Sequence, residues 1–118
     1  MNKIKIKRIY EQAEPSDGCR ILVDRLWPRG VKKEDARVDL WLKDTAPSHE
    51  LRRWFDHKPE KWEEFQKRYA KELEDKEESL QTIIDKAKNQ TITLLYSAQD
   101  EQHNNALALL ELMRARKK

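Results

Sequence analysis

Two short, unbroken runs of apolar residues constrain the fold of this chain most strongly. The first is RILVDR at residues 20–25, and the second is TITLLY at residues 91–96. An uninterrupted run of this kind is typical of a strand that is buried on both faces of a sheet. Helical patterns separate the two runs, and another helical pattern follows the second. This order predicts an α/β fold with a small, mostly parallel sheet of three to four strands covered by helices.

The amino-terminal segment predicts a further strand over residues 3–9. Lysines at positions 3, 5 and 7 alternate with Ile4 and Ile6, so the isoleucines share one face of the strand and the lysines share the other. We expect this strand at an edge of the sheet, because edge lysines discourage pairing with a second sheet. The alternative is a basic stripe that contacts phosphate groups.

Short elements are expected between the first apolar run, at residues 20–25, and the long helices that begin near residue 59. A helical turn is predicted near residues 32–36, and an extended piece is predicted around residues 40–42. Ser48 is a good N-cap for a short helix, whose apolar face would hold Leu51, Trp54 and Phe55.

Longer helices are predicted in the second half of the chain. An apolar stripe within residues 59–88 indicates one long helix, or two helices joined by a kink near residues 76–79. A final helix is expected over about residues 101–116, with Ser97 or Asp100 as its cap.

Composition fits a single α/β domain over residues 1–118. Charged residues make up 40% of the chain, but four Trp, three Tyr and two Phe supply the burial that a small core needs. The net charge of +3 is too balanced to require a nucleic-acid or membrane partner. Residues 1–58 carry the positive excess, with 14 basic and 10 acidic residues.

Localisation is predicted to be cytoplasmic. No segment approaches the roughly 20 apolar residues that span a bilayer, and the first ten residues lack the apolar run of a signal peptide. Cys19 is the only cysteine, so the chain can form no internal disulfide, which suits a reducing compartment. Cys19 precedes its strand and has no catalytic flanking pattern, so we expect a structural thiol.

Two loops are the candidate site, because ligands of parallel sheets bind beyond the carboxyl ends of the strands. These loops are DRLWPRG at residues 24–30 and SAQDEQHN at residues 97–104. If the strands are neighbours, the loops meet beside a helix N-terminus, which favours anions. Arginine is the side chain best shaped to grip phosphate or carboxylate. The sequence therefore predicts an arginine-rich anion pocket.

Each candidate residue is given a role on this hypothesis. The candidate catalytic residues, which would orient the ligand or move a proton, are Asp24, Asp100 and His103. The candidate ligand-binding residues are Arg25, Trp27, Arg29, Arg52, Ser97 and Asn104.

Structural roles are the alternatives for several of these residues. Asp24 can instead form an ion pair with Arg25, Arg29 or Arg52. Ser97 can be a helix cap, and Trp27 can be part of the core or a pocket wall. His103 can simply be a surface residue at the start of the last helix.

Metal and cofactor sites are not predicted. The three histidines at positions 49, 57 and 103 are far apart, with none of the spacings that hold a metal ion. Two glycines in the whole chain rule out a glycine-rich nucleotide loop.

The combination of DGCRILVDRLWPRG, APSHELRRWFDH and TLLYSAQDEQHNNA resembles the YeaO-like proteins, a bacterial domain-of-unknown-function family. The resemblance covers roughly residues 3–113. It implies a small cytosolic α/β protein and implies little about activity. The family pattern marks Asp24, Arg25, Trp27, Pro28, Arg29, Asp100, His103 and Asn104. It also marks Arg52, Trp54 and His57.

Three functions are weighed on these residues. The first is a binder of, or an enzyme acting on, a small anionic ligand that carries phosphate or carboxylate. The second is a protein-interaction module without a small ligand. The third is a nucleic-acid-binding regulatory protein, which would rest on the amino-terminal lysines and on the carboxyl-terminal run Arg116-Lys117-Lys118. The sequence predicts neither a particular reaction nor a particular oligomeric state.

Overall fold

A four-stranded, all-parallel sheet forms the centre of the molecule, in a computed structural model that describes residues 3–116 and, for Arg116, the backbone alone. The strand order is β1-β4-β2-β3. The strands are β1 (Ile4–Arg8), β2 (Cys19–Leu22), β3 (Leu40–Trp41) and β4 (Ile92–Tyr96). The predicted α/β class, the parallel sheet and the edge position of β1 are confirmed. The basic run at Lys117 and Lys118 lies outside the described residues.

The described residues form five α-helices, which pack around the sheet. They are α1 (Lys33–Ala36), α2 (His49–Phe55), α3 (Trp62–Glu72), α4 (Glu77–Ala87) and α5 (Asn105–Arg116). The Ser48 hydroxyl accepts the amide N–H of Leu51 at 3.1 Å, which confirms Ser48 as the cap of α2. A 3-10 turn at Leu73–Asp75 divides α3 from α4, so the single long helix is wrong and the break lies slightly before the predicted kink.

The parallel register brings the two candidate loops together. Ile21 of β2 lies opposite Leu94 of β4, and Leu22 lies opposite Leu95. Both strands are buried along their whole length, as their apolar sequences predict. Since β2 and β4 are neighbours, their carboxyl ends deliver residues 24–30 and 97–104 to one edge of the sheet.

β2 ends earlier than predicted, at Leu22 and not at residue 25. The amide N–H of Val23 still donates to the carbonyl of Leu95 at 3.2 Å, but the Asp24 carbonyl accepts the indole N–H of Trp41 at 2.7 Å. A side chain therefore takes the place of the next strand partner, and the chain turns away from the sheet.

Alternate residues of the central strands enter two apolar layers. Ile21 and Leu94 pack with the apolar faces of α2 to α5, including the Phe65, Tyr69, Leu73 stripe that the sequence predicts. Leu22 and Leu95 face the other side, where the cluster also contains Ile9 and Ala36 and is covered by Trp27, Val31, Val38 and Trp41. The loop that carries the candidate arginines is thus packed against the sheet.

A buried ionic cluster lies beside β1. Asp17, which is 1% exposed, accepts hydrogen bonds from Arg20 at 2.6 Å and Lys7 at 3.1 Å, and the Lys5 ammonium lies 3.9 Å from it. Burial acts to raise the pKa of Asp17, but hydrogen bonds from the Glu14 amide, Lys7 and Arg20 outweigh it and lower the pKa. Two of the three lysines in the proposed phosphate-contacting stripe are therefore already beside a carboxylate.

Candidate functional site

A cavity of about 710 Å³ opens at the carboxyl ends of β2 and β4. Its walls are residues 24–29 after β2, residues of the α2 region between 46 and 57, residues 97–98 after β4, and the start of α5 at 103–105. Tyr10 and Phe65 complete the lining. This volume lies within the usual range of small-molecule sites.

Eight of the nine predicted site residues line this cavity. They are Asp24, Arg25, Trp27, Arg29, Arg52, Ser97, His103 and Asn104. Arg29 and His103 therefore lie on the same side of the sheet, which is the placement that a shared pocket needs. Asp100 is absent from the lining and contacts the pocket through His103.

Asp24 joins three elements at the floor of the site. Its Oδ2 accepts the amide N–H of Ser97 at 3.0 Å and the Ser97 hydroxyl at 2.7 Å, and its Oδ1 accepts the Asn105 amide at 3.3 Å. Burial raises the pKa of Asp24, and the bonds from Ser97 and Asn105 with the charge of Arg52 offset this only in part. Asp24 is thus a hydrogen-bonded structural junction.

An ion pair of Asp24 with a neighbouring arginine was the structural alternative, and it is wrong. Within residues 3–115, no guanidinium nitrogen lies within 4.0 Å of the Asp24 carboxylate. Hydrogen bonds from uncharged donors satisfy this carboxylate, so the arginines are not needed to neutralise it in a direct contact.

Four exposed arginines converge on the cavity. Arg25 and Arg29 come from the loop after β2, and Arg52 and Arg53 come from the last turn of α2. Arg25 donates to the carbonyls of Pro47 at 3.2 Å and Ala46 at 3.5 Å, which orients it across the site. In the part of the chain with described side chains, none of the four has a carboxylate within 4.0 Å.

The charge of the lining is positive. Four guanidinium groups face two carboxylates, those of Asp24 and Asp56, and three histidines add positive charge when protonated. A cavity with walls of low dielectric concentrates such a field.

His103 is held in place by two contacts. Its Nδ1 lies 2.9 Å from Asp100 Oδ2, and its ring meets the edge of Trp62 with 5.3 Å between centroids. Hydrogen bonds from the Gln102 amide and from His103 lower the pKa of Asp100, so this partner is ionised at neutral pH. With Nδ1 occupied, Nε2 is the ring nitrogen available for a ligand hydrogen bond or for proton transfer.

α5 begins at Asn105, four residues later than predicted, and neither Ser97 nor Asp100 is its cap. The Asn104 side chain accepts the amide N–H of Leu107 at 2.8 Å and donates to the Asp100 carbonyl at 3.0 Å. Asn104 is 3% exposed, and both halves of its amide are used in capping. The Asp100 carboxylate accepts the amide N–H groups of residues 102 and 103, which builds the loop that precedes the helix.

Trp27 forms part of both the wall and the core. Its indole N–H donates to the Val31 carbonyl at 2.7 Å, and its ring meets Trp41 edge-on with 5.5 Å between centroids. Its N–H is therefore used within the loop, and only its ring surface borders the cavity.

Sequence reasoning missed several residues of the lining. Asn105 donates to the Val23 carbonyl at 3.0 Å as well as to Asp24, and so ties α5 to β2. Arg53 follows the predicted residue Arg52 directly in the sequence, so the Arg-Arg pair was a signal for both. Tyr10 follows an edge strand by two residues, and nothing in its sequence context links it to residues 24–30.

The α2 end of the cavity contains two backbone positions with positive φ. Asp56 has φ 49° and His57 has φ 55°, and both line the cavity. The left-handed region is uncommon for residues other than glycine. His57 is also one of the positions that the family pattern marks.

The cysteine lies away from the cavity, and neither a metal site nor a membrane span is found among the described residues. Cys19 is buried at the amino-terminal end of β2, away from the cavity, and burial together with the nearby charge of Asp39 raises the pKa of its thiol. Between residues 3 and 115 there is no group of three His, Cys, Asp or Glu side chains that can hold a metal ion. Among the described residues, no helix is long and apolar enough to span a membrane.

Comparisons with known proteins agree on one family. The family model described as the inactive DUF488-N3 subclade matches residues 3–118. The uncharacterized protein YeaO of Escherichia coli is 46% identical over 112 residues, which is 95% of this chain and 97% of YeaO. The uncharacterized proteins Mb3100c of Mycobacterium bovis and Rv3073c of Mycobacterium tuberculosis are each 52% identical over 73 residues, 62% of either chain. No solved structure matches.

The family match spans the whole region that builds the sheet and the cavity, and the identity to YeaO extends over nearly the full length of both chains. The resemblance stated from the sequence motifs is thereby confirmed. This chain belongs to the YeaO-like family, within the inactive DUF488-N3 subclade.

Proposed function

We propose that this protein binds a small anionic ligand, which carries phosphate or carboxylate, in the arginine-rich cavity beyond β2 and β4. The observation that carries the proposal is the convergence of Arg25, Arg29, Arg52 and Arg53 on one cavity with no carboxylate within 4.0 Å of any of them in the described part of the chain. Guanidinium groups match the oxygens of phosphate and carboxylate in a forked arrangement.

The geometry favours binding over catalysis. The Ser97 hydroxyl donates to Asp24, and the Asp24 carboxylate is already occupied by Ser97 and Asn105. His103 is then the one predicted catalytic residue with a nitrogen available in the cavity, and general acid–base work needs a partner group on the substrate. The matching family model describes its subclade as inactive, which also supports binding over catalysis.

Arg25 and Arg29 are proposed to form one side of the anion site, with Arg52 and Arg53 on the other. Arg25 is oriented by the carbonyls of residues 46 and 47, which reduces the side-chain entropy lost on binding. Asp24 has the role of holding the two loops together, and His103 would donate or accept one further hydrogen bond.

Isothermal titration calorimetry with phosphate, pyrophosphate and citrate tests this proposal. The Arg29→Gln and Arg52→Gln variants are each expected to weaken binding by about tenfold or more, because a hydrogen bond to a charged group contributes about 1.5–3 kcal/mol. Arg114→Gln is the matched control, since Arg114 is exposed on α5 and does not line the cavity. No binding at millimolar concentrations, or equal losses in all three variants, would overturn the proposal.

The same proposal includes a cytoplasmic location and action as a single domain. The buried, lone Cys19 needs no oxidising compartment, and one sheet carries every strand of the described residues. A cell fractionation with an epitope-tagged chain tests the location, and recovery in the membrane or periplasmic fraction would contradict it.

A further inference from the structure

The rim of the cavity contains an unusual pair of apolar side chains. Among the described residues, Tyr10 and Leu26 are the large hydrophobic side chains that are exposed, at 48% and 69%. Both line the same cavity as the four arginines. Single exposed hydrophobic residues need no explanation, but here both belong to the proposed anion site.

Tyr10 is fixed in position before any ligand arrives. Its hydroxyl donates to the Arg29 carbonyl at 3.0 Å, and the Arg8 guanidinium lies 5.1 Å from the centroid of its ring. Arg8 itself donates to the carbonyls of Ala98 at 2.8 Å and Ser97 at 3.4 Å. The ring is therefore preorganised against the loop that carries Arg29.

The Tyr10 ring is half exposed and borders the cavity. Arg8 covers a face of the ring and does not itself line the cavity. In the part of the chain with described side chains, no other aromatic ring and no other cation contacts Tyr10. Aromatic side chains with an open face stack well on flat rings of a ligand.

The size of the cavity agrees with a ligand larger than a bare anion. At about 710 Å³, it exceeds what a phosphate ion or a small carboxylate fills, and its lining includes the apolar side chains of Tyr10, Leu26 and Phe65. Ligand sites of this size are mainly apolar, with a few charged groups that fix the orientation.

We propose that the ligand is an anion joined to a flat aromatic group, of the nucleoside monophosphate class, with its ring between Tyr10 and Leu26 and its phosphate on the arginines. This inference rests on the proposed function, because it names the class of ligand for the same site. Leu26 lies next to Arg25 in the chain, and the Tyr10 hydroxyl donates a hydrogen bond to the Arg29 carbonyl. The loop at residues 24–30 therefore contributes two of the arginines and Leu26, and it also holds the Tyr10 ring.

The test is calorimetric titration with three probes of one series: inorganic phosphate, ribose 5-phosphate and adenosine 5′-monophosphate. The adenine ring is expected to tighten binding at least about fivefold over ribose 5-phosphate, which is the lower limit for stacking of a base on an aromatic side chain. Guanosine and cytidine monophosphates should show a similar gain, because stacking tolerates any base.

Substitutions separate the ring from the hydroxyl of Tyr10. Tyr10→Phe and Tyr10→Ala both lose the bond to the Arg29 carbonyl, but only Tyr10→Ala loses the ring. We expect Tyr10→Ala to abolish the advantage of adenosine monophosphate while its affinity for ribose 5-phosphate equals that of Tyr10→Phe. Leu26→Ala keeps Tyr10 intact and is expected to reduce that advantage, and thermal unfolding verifies that each variant is folded.

The outcomes distinguish the two proposals. Equal affinity for ribose 5-phosphate and adenosine monophosphate, with both lost in Arg29→Gln, overturns the aromatic ligand and leaves anion binding standing. Absence of binding for all three probes overturns the nucleotide ligand, and the proposed function is overturned with it if pyrophosphate and citrate also fail to bind. A Tyr10→Ala variant that retains the full advantage of the nucleotide overturns the assigned position of the ring.

Discussion

Replacement of His57 by glycine is expected to stabilise the fold and at the same time weaken ligand binding. α2 ends at Phe55, and the next two residues, Asp56 and His57, adopt left-handed backbone with φ 49° and 55°. A side chain makes this conformation costly by about 1–2 kcal/mol in general, although Asp and His tolerate it better than most residues. Glycine adopts it without steric cost.

The expected gain is the difference of two effects. Relief of the left-handed conformation contributes about 1–2 kcal/mol. Glycine also has more freedom in the unfolded chain, which costs about 0.5–1 kcal/mol on folding. The net gain for His57→Gly is therefore about 0.5–1 kcal/mol, which in a chain of this length raises the melting temperature by about 2–5 °C.

Lys58→Gly is the matched control, because Lys58 is adjacent and exposed but has φ −99°. It pays the entropic cost without relief of strain, so a loss of about 0.5–1 kcal/mol is expected. Urea unfolding of the parent and both variants at pH 7 measures the difference. If His57→Gly is no more stable than Lys58→Gly, the backbone at residue 57 carries no strain and the reasoning fails.

The second half of this prediction concerns the cavity. His57 lines the proposed anion site, and residues held in costly backbone conformations cluster at sites of function. His57→Gly is expected to lower phosphate affinity severalfold at pH 7, because it removes an imidazole that lines the cavity beside the four arginines. Unchanged phosphate affinity would remove His57 from the ligand contacts.

Three further predictions concern single carboxylates and a cap. Asp17→Asn leaves Arg20 buried without its charged partner, so a loss of about 3–5 kcal/mol in urea unfolding is expected at pH 7. Because the pKa of Asp17 is lowered in the folded state, its carboxylate stabilises the fold above about pH 4, and this stabilisation is lost as the pH falls. The Asp17→Asn variant lacks this carboxylate, so it should lose less stability than the parent on acidification. Asp24→Asn removes a negative charge from the cavity and should bind sulfate about three- to tenfold more tightly than the parent at pH 7 by calorimetry. This difference in sulfate affinity between the variant and the parent should disappear at acid pH. Burial raises the pKa of Asp24, and the carboxyl of the parent is neutral below that pKa. Asn104→Ala should cost about 1–2 kcal/mol in the same unfolding assay, and a cost near zero would mean that α5 is capped elsewhere.

The sheet and the meeting of the two loops were predictable because they depend on periodicity. The apolar runs at 20–25 and 91–96 could only be neighbouring parallel strands if helices crossed between them, and their register then fixes where residues 24–30 and 97–104 lie. The apolar stripe from Phe65 to Ile83 is likewise a local pattern, and it packs as expected.

The element boundaries that were predicted wrongly, and the lining residue that was missed, depend on side-chain hydrogen bonds between distant residues. The end of β2 is set by the Trp41 indole on the Asp24 carbonyl, a contact across 17 residues with no local signal. The start of α5 was placed early because Ser97 and Asp100 are both good caps, and only the structure reveals that Ser97 is used by Asp24. Tyr10 was missed for the same reason, since its bond to Arg29 joins separate segments.

The hydrogen bonds of Asp24 explain why the arginines of this cavity form no ion pair with its carboxylate. A half-buried carboxylate beside several arginines would ordinarily form an ion pair, and that pair would leave less positive charge for a ligand. Here Ser97 and Asn105 satisfy the carboxylate with uncharged donors, and the same bonds fix β2, β4 and α5 to one another. The structural requirement of the site is thus met without guanidinium groups, and in the described part of the chain none of the four arginines has a carboxylate within 4.0 Å. If Ser97→Ala drew Arg52 into contact with Asp24, anion affinity would fall although no arginine had been changed.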